Sequence, residues 1–166
     1  SELFTREGSG TLIMNDHSEV IRPANIDDVG GILDLITPLE QQGILVKRSR
    51  ELLETEISRF MVVVHPEGTL LGCAALYPIS NSDAGELACV ATHPEFHNQG
   101  IASRLLRCLE KDATDSGLKT LFVLTTQTAH WFREQGFTEA ELSDLPAEKQ
   151  SLYNYQRQSR IFSKPI

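Results

Sequence analysis

The stretch that decides the fold is "ELACVATHPEFHNQGIASRLLRCLEKD", residues 86–112. Its first seven residues form an apolar, strand-like run, and leucines at helical spacing follow, so the pattern predicts a strand that leads through Gly100 into a helix over 101–116. A helix start without bulky polar side chains offers free N–H groups and the positive end of the helix dipole to an anion. Taken alone, the loop is equally compatible with a glycine that simply permits a tight turn. The phosphate-binding patterns G-x-x-x-x-G-K-[ST] and G-x-G-x-x-G are absent.

Upstream of this stretch, the pattern predicts a strand, two helices and a hairpin. "EVIRPA" (19–24) is strand-like, and Asn25 is expected to cap a helix that carries acidic residues in its first turn. Ser49 is expected to start a second helix with Leu53, Ile57 and Phe60 on one face. "FMVVV" (60–64) and "LLGCAALY" (70–77) are then joined by the turn "HPEGT" (65–69), and "GELACVAT" (85–92) is a further strand.

Downstream, Gly117 is expected to end the long helix, followed by a strand over 120–126. "TAHWFREQ" (128–135) predicts a short helix closed by Gly136, and "YNYQRQSRIF" (153–162) predicts a last strand. This order predicts an α/β or α+β domain in which helices cover both faces of a mixed sheet.

Composition narrows the class of protein. The 166 residues, 40% of them hydrophobic, suffice for one ordinary core, and no apolar run approaches the length of a membrane span. Without a signal-like start, a soluble cytoplasmic protein is expected. The net charge of −8 argues against nucleic acid or an anionic membrane as partner.

The three cysteines, Cys73, Cys89 and Cys108, all lie within apolar segments. An odd number in such positions predicts reduced core thiols and no disulfide framework. Metal-ligand spacing is absent, so no metal is expected.

"HNQGIASRLL" (97–106) resembles the Q/R-x-x-G-x-G/A loop of the GNAT superfamily of acetyltransferases, and "AHWFREQGF" (129–137) resembles its A-x-x-L-Y-E-K-x-G-F segment. The resemblance covers residues 19–166 and implies the GNAT fold, a central mixed, mostly antiparallel sheet flanked by helices, with acetyl-CoA as co-substrate. His97 stands where Arg or Gln is usual. The resemblance places the pyrophosphate on Gln99, Gly100, Ile101, Ala102 and Ser103, and the pantetheine arm along Cys89, Val90 and Ala91.

A closer resemblance is to the acetyltransferase domains of N-acetylglutamate synthases, carried by residues 21–54, 85–96, 121–137 and 152–159. It implies acetyl transfer to the α-amine of L-glutamate, the first step of arginine biosynthesis. Residues 2–13, "ELFTREGSGTLI", are similar to the end of the amino-acid-kinase-like domain that precedes such domains. Because the chain starts at a serine with no initiator Met, it is expected to be the C-terminal piece of a longer protein, and the resemblance implies that the full-length form is a homo-oligomer. Residues 1–18 would then be an interdomain remnant and residues 19–166 the acetyltransferase domain.

Acetyl transfer to an amine needs a base and a donor for the developing oxyanion. Glu86, at the start of its strand, is the candidate base, acting directly or through a water; without the family match, a solvated strand-end Glu is the commoner role. A backbone N–H near Cys89 or Val90 would polarise the carbonyl. Cys89 is a less favoured nucleophile, because no activating base is near it in sequence and direct attack suffices.

The family's usual tyrosine acid is replaced by Phe132. A thiolate with an intrinsic pKa of about 8.5 is a tolerable leaving group, so a dedicated acid is dispensable. Thr125 and His130 are weak candidates for the acid, and His130 is equally compatible with a packing role. Trp131 and Phe132 are expected in the core.

The family match assigns carboxylate binding to Arg48 and Arg157, with Ser159 on the same strand face as Arg157. Spacing alone would favour exposed surface arginines. Two alternatives stay open: a GNAT enzyme for another small amine or a protein N-terminus, which would not need this arginine pair, and a CoA-binding regulatory module without turnover.

Overall fold

The computed structural model describes residues 13–14, 19–96, 100–125, 129–146 and 160–166. The helices in these ranges are α1 (Val29–Gln41), α2 (Arg50–Thr55), α3 (Ile101–Asp115) and α4 (Ala129–Glu134). The strands are β1 (Ile13–Met14), β2 (Val20–Pro23), β3 (Phe60–Val64), β4 (Leu70–Pro78), β5 (Ala84–Thr92), β6 (Thr120–Thr125), β7 (Thr138–Ala140) and β8 (Arg160–Pro165).

Within the described ranges, the strands form one eight-stranded sheet in the order β1-β2-β3-β4-β5-β6-β8-β7. Neighbouring strands are antiparallel except β5 and β6, which are parallel. The predicted mixed, mostly antiparallel sheet is therefore confirmed. Its single parallel pair is joined by α3, as a parallel connection requires a crossover.

The entry to α1 follows the predicted capping pattern. Asn25 Oδ1 accepts the N–H of Asp27 at 2.9 Å, and the Asp28 carboxylate accepts the N–H of Asn25 at 2.8 Å. This reciprocal cap satisfies N–H groups that a helix start leaves open. It opens a short 3-10 turn, Ile26–Asp28, and α1 itself begins only at Val29.

The second helix is shorter than predicted. Ser49 caps it as expected, with Oγ accepting the N–H of Leu52 at 3.1 Å, but α2 ends at Thr55. Ile57 lies in a 3-10 turn and Phe60 opens β3. Leu53, Ile57 and Phe60 still pack in one apolar cluster. The spacing of Leu53, Ile57 and Phe60 indicates one continuous helix. In the structure they lie in a helix, a 3-10 turn and a strand, and these three elements place their side chains on the same side.

The sheet separates two apolar layers. On one face, α3 contributes Leu105, Leu106 and Leu109 to the larger cluster. On the other, α1 contributes Ile32 and Ile36 to a cluster with β3 and β4. The α1 and α2 face also carries the polar side chains of the candidate site.

Gly72 on β4 brings the start of α3 close to the sheet. A Cβ at this position would lie 2.7 Å from Ile101 Cγ2 and 3.2 Å from Leu105 Cδ1. The absence of a side chain therefore lets the first two turns of α3 pack directly on the strand. The position of the helix N-terminus depends on this contact.

Downstream elements agree with the pattern at most positions. Gly117 (φ +90°) follows α3, and Gly136 (φ +98°) follows α4, as predicted. The strand β7 was not predicted; it is three residues long and pairs with β8. The predicted last strand is confirmed for residues 160–162 and continues to Pro165, while residues 153–159 lie outside the described ranges.

Candidate functional site

The parallel pair β5 and β6 opens into a cleft. Ala84–Leu87 pair with Thr120–Val123, and beyond these residues the described strands make no further pairs with each other. A cavity of about 110 Å³ lies where they separate, lined by both strands and by α4. Backbone groups of β5 on this side therefore face a space in which an extended ligand can pair with the strand edge.

A bulge in β5 lies at the same place. Cys73 pairs with Ala91 and Ala75 pairs with Ala88, so one residue of β4 faces two of β5, Cys89 and Val90. Cys89 has a φ of +56°, a left-handed conformation that costs a non-glycine residue about 1–2 kcal/mol. Bulges reorient backbone and side chains locally, which fits a site for a backbone oxyanion donor.

The predicted cofactor residues of β5 lie together. Cys89 and Val90 line the cavity, and Ala91 is buried beside Cys73 on β4. Thr125, a predicted catalytic residue, is also buried and lines the same cavity from β6. The cleft thus brings both strands' predicted residues to one place.

The predicted anion cradle lies at the N-terminus of α3. Gly100 has φ +74° and ψ 13°, and as the N-cap residue it has no side chain with which to cap α3. Ile101 is buried, so it can contribute to a cradle only through its backbone, whereas Ala102 and Ser103 are half-buried. As predicted, Gly100 precedes the first residues of the helix, Ile101, Ala102 and Ser103. Their role in binding stays a prediction.

Arg104 adds a cation to this helix start. Its Nη2 lies 2.6 Å from Oε1 of Glu19, whose side chain is only 4% exposed. A Cβ built on Gly100 would lie 3.5 Å from Nη1 of Arg104. The guanidinium is therefore held beside the loop that precedes α3.

A polar cluster lies on the α1 and α2 face around Arg48. Its backbone N–H donates to the Glu40 carboxylate at 3.0 Å, and its guanidinium carbon lies 5.9 Å from the centroid of the Tyr77 ring. Tyr77 pairs with Glu86 across β4 and β5. Residues directly opposite in an antiparallel pair project to the same face, so the predicted base lies beside Tyr77. The Tyr77 hydroxyl donates to Glu56 at 2.8 Å.

Electrostatic coupling places Arg48, Cys89 and Glu86 in one environment. Burial lowers the pKa of Arg48, but Cys89, Tyr77 and Glu86 outweigh burial and raise it overall. Burial raises the pKa of Cys89 to about 11, with Arg48 opposing and Glu86 reinforcing the rise. A thiol with this pKa is protonated at neutral pH, which argues against an acyl-cysteine and favours direct attack.

The structure agrees with the prediction for Phe132 but not with that for His130. Phe132 is buried against Trp131 and Phe137, with ring centroids 4.8 and 5.5 Å away, and it also lines the cavity. The side chain of His130 is 89% exposed and lies 3.0 Å from Glu134. His130 is therefore a poor candidate for the acid and is not a packing residue, because the first turn of α4 points it to solvent.

Three predicted residues, Gln99, Arg157 and Ser159, lie outside the described residues, as does His97. Cys73, Cys89 and Cys108 are free and buried, as predicted. Within the described ranges, no group of three or more His, Cys, Asp or Glu side chains is arranged to hold a metal ion. No described helix has the length and apolar character to cross a membrane.

The model of the Acetyltransferase (GNAT) family matches residues 31–140. The chain belongs to the GNAT acetyltransferase family. The matched region runs from α1 to β7 and includes the cleft, the bulge and the uncapped start of α3.

Curated relatives match this GNAT domain over its whole length. The chain is 58% identical over its whole length to an amino-acid acetyltransferase of Pseudomonas putida strain KT2440. It is 57% identical to the amino-acid acetyltransferase of Azotobacter vinelandii. In both cases it spans 38% of the relative's length.

Solved structures resemble this GNAT domain as well. The N-acetylglutamate synthase of Neisseria gonorrhoeae, complexed with coenzyme A and N-acetyl-glutamate, is 40% identical with a TM-score of 0.86, over 91% of this chain and 36% of that one. Rv2747 of Mycobacterium tuberculosis, in complex with CoA, is 27% identical with a TM-score of 0.75, over 88% and 98%.

Sequence reasoning missed two polar residues of this GNAT site, Tyr77 and Glu56. Tyr77 is identified by counting pairs outward from the turn between β4 and β5, which sets it opposite Glu86. Glu56 follows α2 and reaches Tyr77 only through the tertiary fold. No short motif in the sequence marks the pair.

Proposed function

We propose that this domain transfers the acetyl group of acetyl-CoA to the α-amine of L-glutamate, giving N-acetyl-L-glutamate and CoA. The observation that carries the proposal is the placement of Arg48 and Glu86 in one polar cluster beside the bulged, open edge of β5. The named relatives, and the Neisseria enzyme complexed with coenzyme A and N-acetyl-glutamate, support this substrate pair.

The cleft fits acetyl-CoA by its chemistry. An open strand edge offers hydrogen bonds to the amides of the pantetheine arm, and the uncapped α3 start offers N–H groups to the pyrophosphate. Gly100, Ala102 and Ser103 keep that start free of bulky side chains, with Gln99 expected at its edge. On a protein of net charge −8, such a local arrangement is needed to hold a polyanion.

The reaction proceeds by direct attack in a ternary complex. The amine nitrogen forms a bond to the thioester carbonyl carbon, and Glu86 accepts the proton that the amine loses. A backbone N–H at the Cys89 bulge stabilises the oxyanion. The C–S bond then breaks and CoA leaves as a thiolate that takes up a proton. Among the described residues that line the cavity, Thr125 carries a hydroxyl that can donate a hydrogen bond to the sulfur.

Two carboxylates distinguish glutamate from most amines. Arg48 binds one of them, and we assign the other to Arg157 and Ser159. Bidentate contact with a guanidinium gives both affinity and direction, and lysine reproduces it poorly. The substrate also carries an ammonium group until Glu86 takes its proton. The carboxylates around Arg48 attract this positive charge.

We further propose that the domain works within a longer chain. Because it spans 38% of its curated relatives, an amino-acid-kinase-like domain before residue 19 is consistent with their length. Residues 1–18 would join the two domains, and the full-length protein would be a cytoplasmic homo-oligomer of arginine biosynthesis.

The first experiment measures CoA release from acetyl-CoA with a thiol reagent. L-glutamate is compared with L-glutamine, L-aspartate and a polyamine. Release that depends on glutamate supports the proposal. Release with another amine alone indicates a different GNAT substrate, and acetyl-CoA binding without release for any amine indicates a binding module.

Two variants with matched controls test the roles of the residues. Arg48→Gln is expected to raise the KM for glutamate at least tenfold, whereas Arg50→Gln, on the exposed side of α2, is expected to leave it unchanged. Glu86→Gln is expected to abolish turnover while acetyl-CoA still binds, with the exposed Glu51→Gln as its control. Unchanged turnover in Glu86→Gln would exclude Glu86 as the base.

A further inference from the structure

Tyr77 neighbours both Arg48, the proposed carboxylate-binding residue, and Glu86, the proposed base. Its ring faces the Arg48 guanidinium, with the carbon 5.9 Å from the ring centroid, and its strand position is directly opposite Glu86. Its hydroxyl donates to Glu56 Oε1 at 2.8 Å, and it also interacts with the Arg48 guanidinium. Tyr77 thus contacts the carboxylate-binding cation and neighbours the base.

Arg48 needs such a contact because of where it lies. It belongs to the segment between α1 and α2, outside regular secondary structure. Its backbone N–H is fixed by the Glu40 carboxylate at 3.0 Å, whereas the hydrogen bond from its Nη1 to the carbonyl of Val46 is long, at 3.4 Å. A long side chain on a loop has many rotamers, and a positioned aromatic face restricts them.

Glu56 has two effects on this arrangement. It fixes the Tyr77 ring because Oε1 of its carboxylate accepts a hydrogen bond from the Tyr77 hydroxyl at 2.8 Å. In the part of the chain that the structure describes, it makes no ion pair with Arg48, whose backbone N–H and Nη1 donate to Glu40 and Val46, so the guanidinium remains available to a substrate carboxylate. Glu40 is held in a comparable way, since it accepts the Arg48 backbone N–H.

We propose that Tyr77, held by Glu56, is a positioning residue that sets the distance between the Arg48 guanidinium and Glu86 and thereby selects substrates with a carboxylate at a fixed distance from the amine. This inference rests on the proposed acetylation of glutamate. Tyr77 itself is assigned no step of the reaction: its O–H is donated to Glu56 Oε1 at 2.8 Å, and burial together with this hydrogen bond raises the pKa of the phenol, so it stays protonated and is no base.

The test compares Tyr77→Leu, Tyr77→Phe and Glu56→Gln in steady-state kinetics. Substrates are L-glutamate and its two monoamides, L-glutamine and the α-carboxamide, each of which lacks one carboxylate. In Tyr77→Leu we expect the KM for glutamate to rise about tenfold, and discrimination against the monoamide that lacks the Arg48-bound carboxylate to fall about tenfold. The KM for acetyl-CoA and kcat are expected to stay within about twofold of the parent.

The two milder variants separate the ring from its anchor. Tyr77→Phe keeps the ring but frees Glu56, so we expect a rise in KM of about threefold. Glu56→Gln replaces the carboxylate acceptor of the Tyr77 hydroxyl by a neutral amide, which weakens the anchor, so we expect a similar rise in KM of about threefold. Phe122→Leu is the matched control, because Phe122 flanks Glu86 from β6 and belongs to a different apolar cluster from Tyr77. It is expected to leave discrimination between glutamate and its monoamides unchanged.

The outcomes are separable from failure of the proposed function. If the parent shows no glutamate-dependent release, the proposed function is wrong, and the NMR signal of the Arg48 side chain still tests positioning through loss of its ring-current shift in Tyr77→Leu. If the parent is active but Tyr77→Leu keeps its discrimination, the inference is overturned. Equal losses for glutamate and both monoamides indicate a purely structural role and overturn it as well.

Discussion

Replacing Gly100 by alanine tests whether the start of α3 is an anion cradle or only a turn. Gly100 has φ +74°, and an added Cβ would have ordinary room, with Arg104 Nη1 3.5 Å away as its nearest neighbour. Gly117, after the C-terminal end of the same helix, has φ +90° and nothing within 4 Å of an added Cβ. The two positions therefore share the backbone strain, and only Gly100 lies at the proposed cradle.

The magnitudes follow from these geometries. A left-handed conformation costs alanine about 1–2 kcal/mol, partly offset by the lower entropy of the unfolded chain, so each variant is expected to lose about 1 kcal/mol of folding stability. In a domain of this size, that lowers Tm by about 2–4 °C. At Gly100, the added methyl also narrows the space beside the cradle. Loss of one hydrogen bond to a charged phosphate costs about 1.5–3 kcal/mol, or roughly ten- to a hundredfold in Kd.

Thermal denaturation and calorimetric titration with CoA measure both quantities on the same samples. We expect equal Tm losses for Gly100→Ala and Gly117→Ala, with weaker CoA binding only in Gly100→Ala. If both variants bind CoA like the parent, the cradle is refuted and Gly100 serves the turn alone. If CoA binding is weakened equally in both variants, the loss of affinity results from the lower stability of α3 and not from the cradle.

Three further predictions concern packing and charge. Gly72→Ala places a Cβ 2.7 Å from Ile101 Cγ2, and overpacking is expected to cost about 1–3 kcal/mol in urea denaturation and to weaken CoA binding; unchanged stability would contradict direct packing of α3 on β4. Glu19→Gln removes the charge paired with Arg104 at 2.6 Å and is expected to cost about 1–2 kcal/mol, a loss that 1 M salt should barely alter because Glu19 is buried. Burial raises the pKa of Cys89 from 9.0 to about 11, so the folded state holds this proton more tightly. The contribution of the protonated Cys89 to the free energy of unfolding is therefore complete below pH 9 and is lost as the pH rises through about 11. We expect the free energy of unfolding to depend less on pH in this range in Cys89→Ala.

Local patterns predicted the elements whose signal is contained in neighbouring residues. The apolar periodicity of α3, the cap at Asn25 and the turn between β3 and β4 each depend on chemistry within a few positions. The predicted extent of α2 was wrong. Ile57 and Phe60 satisfy helical spacing, but a 3-10 turn and a strand bring them to the same cluster as Leu53. The spacing of hydrophobic residues indicates which residues face the same side of the chain. Different secondary structures can produce the same spacing.

For the site, the sequence named candidate residues but not the geometry that relates them. The family resemblance supplied Glu86 and Arg48, and the structure places both in one cluster. The left-handed Cys89 has no local signal, since cysteine has no preference for that conformation; the bulge is set by the pairing of β5 with β4. Tyr77 enters the site through the register of that same pair.

The connection β5-α3-β6 explains why the cleft and the cradle occur together. The two strands are parallel and start in register at Ala84 and Thr120, and the crossover between them begins at the carboxyl end of β5. The N-terminus of α3 must therefore lie near the end of β5 at which the strands separate. The bulge at Cys89 bends β5 just after its last pair with β6, because a bulge increases local twist. One irregularity in one strand thus frees the strand edge for the proposed pantetheine arm and directs the chain toward a helix start that suits its pyrophosphate. A change that removes the bulge is consequently expected to impair both contacts at once, whereas a change at Gly100 affects the cradle alone.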